Sequence, residues 1–307
     1  GQFGWKYGLA STWIGIGNAL IGSLLAWVIL GRRTRVMSKH PSSATMPEFF
    51  GSRFHSQGMK IVASLIIFVF LIPYTASVYN GLSRLFGMAF DIPYSVCVMG
   101  MAILTAVYVI LGGYIATAIN DFIQGIIMLA GIAAIILSVL SGQGGFTVAV
   151  GRLAQIPSEV PVTLGQPGAY TSFFGPDPLN LLGVVILTSL GTWGLPQMIL
   201  KFYPIRSEKA IATGTVISTL FAIVISGGSY FLGGFGRLFD SPAIYNGNGS
   251  VAYDTIIPAM LSCLPALLIG MVVMLLLSAS MSTLFSLVLT SNSTLTLDVI
   301  KGSLVKN

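Results

Sequence analysis

The stretch TIIPAMLSCLPALLIGMVVMLLLSASMSTLFSLVLTSNSTLTL, Thr255 to Leu297, holds no charged residue. A helix needs about 20 apolar residues to cross a bilayer, so this run is long enough for more than one element. Pro258 and Pro265 divide it, because proline ends or kinks a helix. The expectation is a short helix near Tyr253–Cys263 and then a full span. Uncharged runs of membrane-spanning length recur at Leu9–Gly31, Ile61–Ser83, Ile92–Ile119, Phe122–Gly151, Pro178–Leu200 and Ala210–Gly236. About seven spanning helices in a single transmembrane domain over residues 1–307, plus the one short outer helix, are therefore expected, and the fold class is all-α, polytopic and membrane-embedded.

Composition agrees with this reading. The chain has 307 residues, 54% hydrophobic and 8% charged, with a mean hydropathy of +0.88. A soluble domain carries about a quarter charged residues. The formal charge of +6 does not point to nucleic acid, since the basic residues sit in short runs between apolar stretches, as membrane topology requires. If the loop after the first span faces inward, the inner side holds Arg32, Arg33, Arg35, Lys39, Arg53, Lys60, Lys201, Arg206, Lys209, Lys301 and Lys306. The outer side holds Lys6, Arg84, Arg152 and Arg237. That positive-inside bias fixes the orientation and predicts a multi-pass protein of the cell (inner) membrane, in contact with the lipid bilayer. The Gly- and Pro-rich loop from Gly142 to about Asp177 then lies outside, as a lid or a connector.

Cys97 and Cys263 lie in or beside apolar segments without metal-type spacing and read as small buried residues. His40 and His55 share one basic loop. A zinc site or a Ser-His-Asp triad would need histidine near other ligands, and the spans offer no paired nucleophile and base. The chain is not read as an enzyme.

Three constellations carry candidate chemistry. Asp121 is the only acid between two long apolar segments, where an unpaired carboxylate is expensive. It either caps the helix starting at Phe122, with Asn120 beside it and a bend at Gly112-Gly113 before it, or is linked to a bound ion. The second is Ser278-Ala279-Ser280-Met281-Ser282-Thr283, followed by Ser286. A helical carbonyl lies beneath the side chains three and four residues on, so the Ala279 carbonyl and the Ser282 and Thr283 hydroxyls can converge. Neutral oxygens suit a small hard cation such as sodium, by the logic that governs other hard cations. The same hydroxyls can instead bond back to their own helix or mediate packing. The third is Leu190-Gly191-Thr192-Trp193-Gly194-Leu195-Pro196-Gln197, where two glycines and a proline favour a break in a span. Broken helices at membrane depth line cavities in transporters, although a kinked structural helix is the plain alternative. Pro73-Tyr74 gives a milder version of that signal.

Together these residues resemble the sodium:solute symporter family, especially its sodium/proline and sodium/pantothenate members. Thr45-Met46-Pro47-Glu48-Phe49 with Arg53-Phe54 resembles the T-x-P-E-F…RF pattern of the family's inner loop. Gly112-Gly113 followed by Asn120-Asp121-Phe122-Ile123-Gln124-Gly125 is similar to its GG…(N/T)D-x-x-Q-G segment. Gly194-Leu195-Pro196-Gln197 resembles G-x-P-(H/Q), and Ser280-Met281-Ser282-Thr283, ending at Asp298, is similar to M-S-T…D on the family's sodium helix. The motifs occur in order along essentially the whole chain.

The resemblance implies a five-plus-five inverted-repeat (LeuT-like) fold and sodium-coupled import of a small organic solute. It implies sodium as the bound ion, held by Ala279, Ser282 and Thr283 with carbonyls of the first core helix. It implies a second sodium-linked site at Asp121 with Ser286, weakened because Phe285 stands where a hydroxyl is expected. It places Tyr74, Thr192 and Trp193 at the substrate cavity and gate, with Thr192 replacing an aromatic residue of several members. Gly1–Gly8 resembles the end of the broken first core helix, so further core helices are expected beyond both ends of the chain. A symporter-like sensor domain fused to signalling machinery is the alternative reading.

Overall fold

The structure is a computed structural model, and it describes residues 1–39, 45–200, 202, 205, 208–262 and 264–304. His40, Lys201, Arg206, Cys263 and Lys306, used above for topology and cysteine chemistry, lie outside the described residues. Among those described there is no strand, only an isolated bridge between Tyr245 and Val251. We label the helices in chain order as α1 (Gln2–Thr34), α2 (Met46–Phe54), α3 (Gln57–Phe90), α4 (Tyr94–Gly142), α5 (Phe146–Gln155), α6 (Pro178–Gly191), α7 (Pro196–Leu200), α8 (Lys209–Gly233), α9 (Ile256–Ser262) and α10 (Ala266–Ser293).

Among the described residues, five segments are long and apolar enough to cross a membrane: Gln2–Thr34, Gln57–Arg84, Asp121–Gly142, Lys209–Gly233 and Ala266–Ile300. Tyr94–Tyr108 and Pro178–Gly194 are shorter apolar helices. Val62, Ile66, Val69, Phe70 and Ile72 of α3 are all more than half exposed, a surface that water would penalise and hydrocarbon would not. The chain is a multi-pass membrane protein. A short helix, α9, precedes the last span, and Pro265 stands at the N-cap position of α10.

The sequence explains where several helices start and stop. Thr45 caps α2 by accepting the Glu48 amide at 3.2 Å, with Pro47 in the first turn. Ser56 does the same for α3 through Met59. Asp91 ends α3 in the left-handed region (φ 52°), one of the few places outside glycine where short polar residues are tolerated. Pro73 does not break α3, which runs on through it.

α4 departs from the expected pair of separate helices. Its backbone is helical from Tyr94 to Gly142, with no break at Asn120-Asp121, yet it is not straight. Thr105 Oγ1 lies 3.8 Å from Met281 Sδ, and Tyr108 packs edge-on against Phe285. A Cβ on Gly131, farther along α4, would meet the Leu275 side chain. On a straight helix Thr105 and Gly131 stand about 39 Å apart, whereas Met281 and Leu275 stand only about 9 Å apart on α10. Both contacts hold only if α4 turns back on itself. Its first half runs parallel to α10. Its second runs antiparallel, since residues 137–143 share a cavity with residues 264–268. The two halves of α4 therefore flank α10.

α1 and α8 cross closely. A Cβ on Gly4 would collide with the Gly233 carbonyl, and one on Gly15 would come within 2.6 Å of the Ser226 carbonyl. Small residues that let backbones touch are the usual cement between helices in lipid. The largest core lies where α4, α9 and α10 meet, around Ile135, Val139, Met260, Val272 and Leu275.

Candidate functional site

Two of the hydroxyls on α10 bond back to carbonyls of their own helix. Thr283 Oγ1 donates to the Ala279 carbonyl at 2.9 Å, and Ser286 Oγ donates to the Ser282 carbonyl at 3.2 Å. Ala279, Ser282 and Thr283 are half-buried beside fully buried Leu284. A carbonyl and a hydroxyl at this separation on one helix face are neutral hard donors, which fits a small hard cation. The same geometry satisfies the Thr283 hydroxyl within its own helix, so it serves packing as well.

Asp121 lies inside α4, not at a helix start. The capping reading is therefore corrected: the backbone amides that a cap would satisfy are already bonded within the continuing helix. The antiparallel register puts Asp121, ten residues before Gly131, about 15 Å along the helix, level with Phe285 and Ser286 of α10. Gln124 was quoted above only as part of a motif. It lies seven residues before Gly131 and thus on the same face of α4, level with Ser282. Its Oε1 is buried with no hydrogen-bond partner among the described residues. A buried acceptor left unsatisfied is costly, and this one stands at the level of the α10 hydroxyls. The signal that could have found it was the spacing Asp121-x-x-Gln124, one turn of helix.

The broken helix is present. α6 ends at Gly191, a 3-10 turn covers Thr192–Gly194, Leu195 is extended, and α7 restarts at Pro196. Trp193 Nε1 donates to the Ile21 carbonyl at 2.7 Å. Thr192 Oγ1 donates to Ser189 O at 2.7 Å and reaches Gly22 O at 3.4 Å. Ile21 and Gly22 belong to a π-helical stretch of α1, Asn18–Leu25, and such wide turns are frequent at functional sites. The structure thus gathers Thr192 and Trp193 on α1. Tyr74 sits apart, exposed on α3 and outside that hydrogen-bonded group.

At the opposite end, Arg237 forms a cluster that counting charges did not reveal. It is buried, with its guanidinium 4.6 Å from the Trp5 ring and 4.2 Å from the Tyr170 ring. Nε donates to the Trp5 carbonyl at 2.7 Å and Nη2 to Glu159 Oε2 at 3.0 Å. Nearby, Arg84 and Asp254 (3.7 Å apart) line a cavity of about 1,460 Å³.

The described residues thus form a bundle of apolar membrane-spanning helices, with a shorter apolar helix interrupted at Thr192–Gly194 beside α1. The family comparison agrees: the model of the sodium:solute symporter family matches residues 2–307, and the chain belongs to that family. Membership places it among transporters rather than enzymes. It is similar to the sodium/proline symporter of Salmonella typhimurium (strain LT2), 27% identical over 98% of this chain and 59% of the relative. It is also similar to the sodium/proline symporter of Staphylococcus aureus (strain USA300), 31% identical over 66% of this chain and 38% of the relative. The chain thus spans less than two thirds of the length of these relatives.

Proposed function

We propose that the complete protein carries a small organic solute, such as an amino acid or a carboxylate, into the cell together with sodium across the inner membrane. Sodium is cargo here, held by the Ala279 carbonyl and the Ser282 and Thr283 hydroxyls, with Asp121, Gln124 and Ser286 near a second ion-linked position. The observation that carries this reading is the 2.9 Å approach of Thr283 Oγ1 to the Ala279 carbonyl, on a helix flanked by both halves of α4. Sodium binding favours the state open to the outside, solute then closes it, and release within reopens the other face. The membrane potential adds about 2.3 kcal/mol per charge per 100 mV. Proteoliposomes carrying the complete protein should take up proline, the solute named for its relatives, faster under an inward sodium gradient. Uptake of proline, other amino acids and carboxylates that ignores sodium would overturn the reading.

Asp121 is proposed to act through its charge. Asp121→Asn removes that charge at nearly constant size, so it should raise the sodium concentration for half-maximal uptake severalfold with normal membrane levels. An unchanged midpoint would return Asp121 to a packing role.

Tyr74, Thr192 and Trp193 are proposed to face the solute path. Single cysteines at these positions should react with small polar thiol reagents, and a transported solute should slow the reaction. Labelling indifferent to solute at all three positions would remove them from the path.

A further inference from the structure

Two motifs remain unused by the ion and solute sites: Thr45-Met46-Pro47-Glu48-Phe49 and the aspartate at 298. In the fold they meet. Thr45 Oγ1 donates to Asp298 Oδ2 at 2.7 Å while accepting the Glu48 amide, and Lys60 Nζ lies 3.3 Å from Asp298 Oδ1. Asp298 is fully buried, Thr45 is 2% exposed, and the Lys60 side chain is 14% exposed. One carboxylate thus binds the start of α2, the first turn of α3 and the helical turns after α10.

We propose that Thr45, Lys60 and Asp298 form a latch that holds the basic, inner end of the protein shut and that parts when this end opens. A buried carboxylate is tolerated only while it is paired and hydrogen-bonded, so separation of these elements must be concerted. Among the described residues, Lys60 of α3 and Glu48 of α2 are charged groups that act on Asp298. The backbone from Thr294 to Leu304 is π-helical, a wide winding that can tighten by one register step. The latch closes the same continuous helix that carries Ala279, Ser282 and Thr283, so a shift at its inner end is transmitted along a rigid rod. The latch also explains why a threonine stands at 45: its hydroxyl caps α2 and donates to Asp298 at once.

The inference takes from the symport reading only which end faces inward, and its test needs neither sodium nor solute. Thr294 is 1% exposed, one turn before Asp298. A cysteine at this position in the complete protein, with every native cysteine including Cys97 and Cys263 replaced by serine, is labelled in inside-out vesicles by a small thiol reagent. Thr45→Asp preserves the cap but sets a second carboxylate against Asp298, and should speed labelling about tenfold by shifting the population towards the open inner end. Thr45→Ser keeps the donor and should label at the unmodified rate. Asp298→Asn combined with Lys60→Met serves if Thr45→Asp does not accumulate, and should likewise speed labelling. Unchanged labelling in whichever of these accumulates, or equal acceleration by Thr45→Ser, would overturn the latch.

Discussion

Replacement of both Ser282 and Thr283 by alanine should nearly abolish sodium-driven uptake while leaving the protein in the membrane at normal levels. Alanine has the highest helix propensity, and both residues are only half-buried, so α10 should form as before. Thr283 loses its bond to the Ala279 carbonyl, a contribution of about 1 kcal/mol, and the carbonyl keeps its partner within the helix. What the double variant removes is two of the three oxygens proposed to hold sodium. Each single variant should raise the sodium midpoint, by about tenfold for a ligand contributing 1.4 kcal/mol. If these hydroxyls serve only packing, the maximal rate could fall but the midpoint would stay fixed. Uptake measured against sodium concentration for Ser282→Ala, Thr283→Ala and the pair separates the two outcomes, and wild-type midpoints in both single variants would show that the site is elsewhere.

The span pattern was legible because hydrocarbon imposes it: a run such as Thr255–Leu297 has no other stable place, and proline marks its internal boundary. The break at Thr192–Gly194 was legible for the same reason, since proline removes a backbone donor wherever it sits. Pro73 shows the limit of that signal, because α3 continues through it. The Asn120-Asp121 boundary was misread in a different way. A polar pair between apolar runs looks like a cap, but α4 reverses by bending while remaining helical, so no start is formed there. Thr45-x-x-Glu48 carried a capping signature in plain sight, while its second partner lay 253 residues away, beyond anything local spacing can report. Gln124 was hidden because an amide in an apolar helix is informative only once its unsatisfied oxygen is seen. Arg237 was counted as one outer charge, and its two aromatic neighbours come from distant segments.

Arg237→Met should loosen the outer end of the fold and expose the segment between α4 and α6. Arg237 joins three parts of the chain: Trp5 on α1, Tyr170 and Glu159 in the long loop, and its own turn after α8. Methionine fills similar volume but offers no donor, leaving the Trp5 carbonyl without this bond and both rings without the cation. A hydrogen bond involving a charged group contributes about 1.5–3 kcal/mol and a desolvated cation–π contact about 2 kcal/mol; methionine recovers part of this through its own contacts with the two rings, so a loss of about 2–4 kcal/mol is expected. Lysine should rescue little, because a point charge cannot reproduce a planar fork stacked between two rings. The Glu159 partner is 68% exposed, so Glu159→Gln should change stability by less than about 1 kcal/mol. Arg152, exposed in the last turn of α5, supplies the readout. Tryptic cleavage after Arg152 should be roughly tenfold faster in Arg237→Met and Arg237→Lys than in Glu159→Gln, with the melting temperature in detergent lowered by several degrees in the first two. Equal cleavage in all three variants would mean that the loop is held by its apolar contacts alone and that the buried guanidinium is not its anchor.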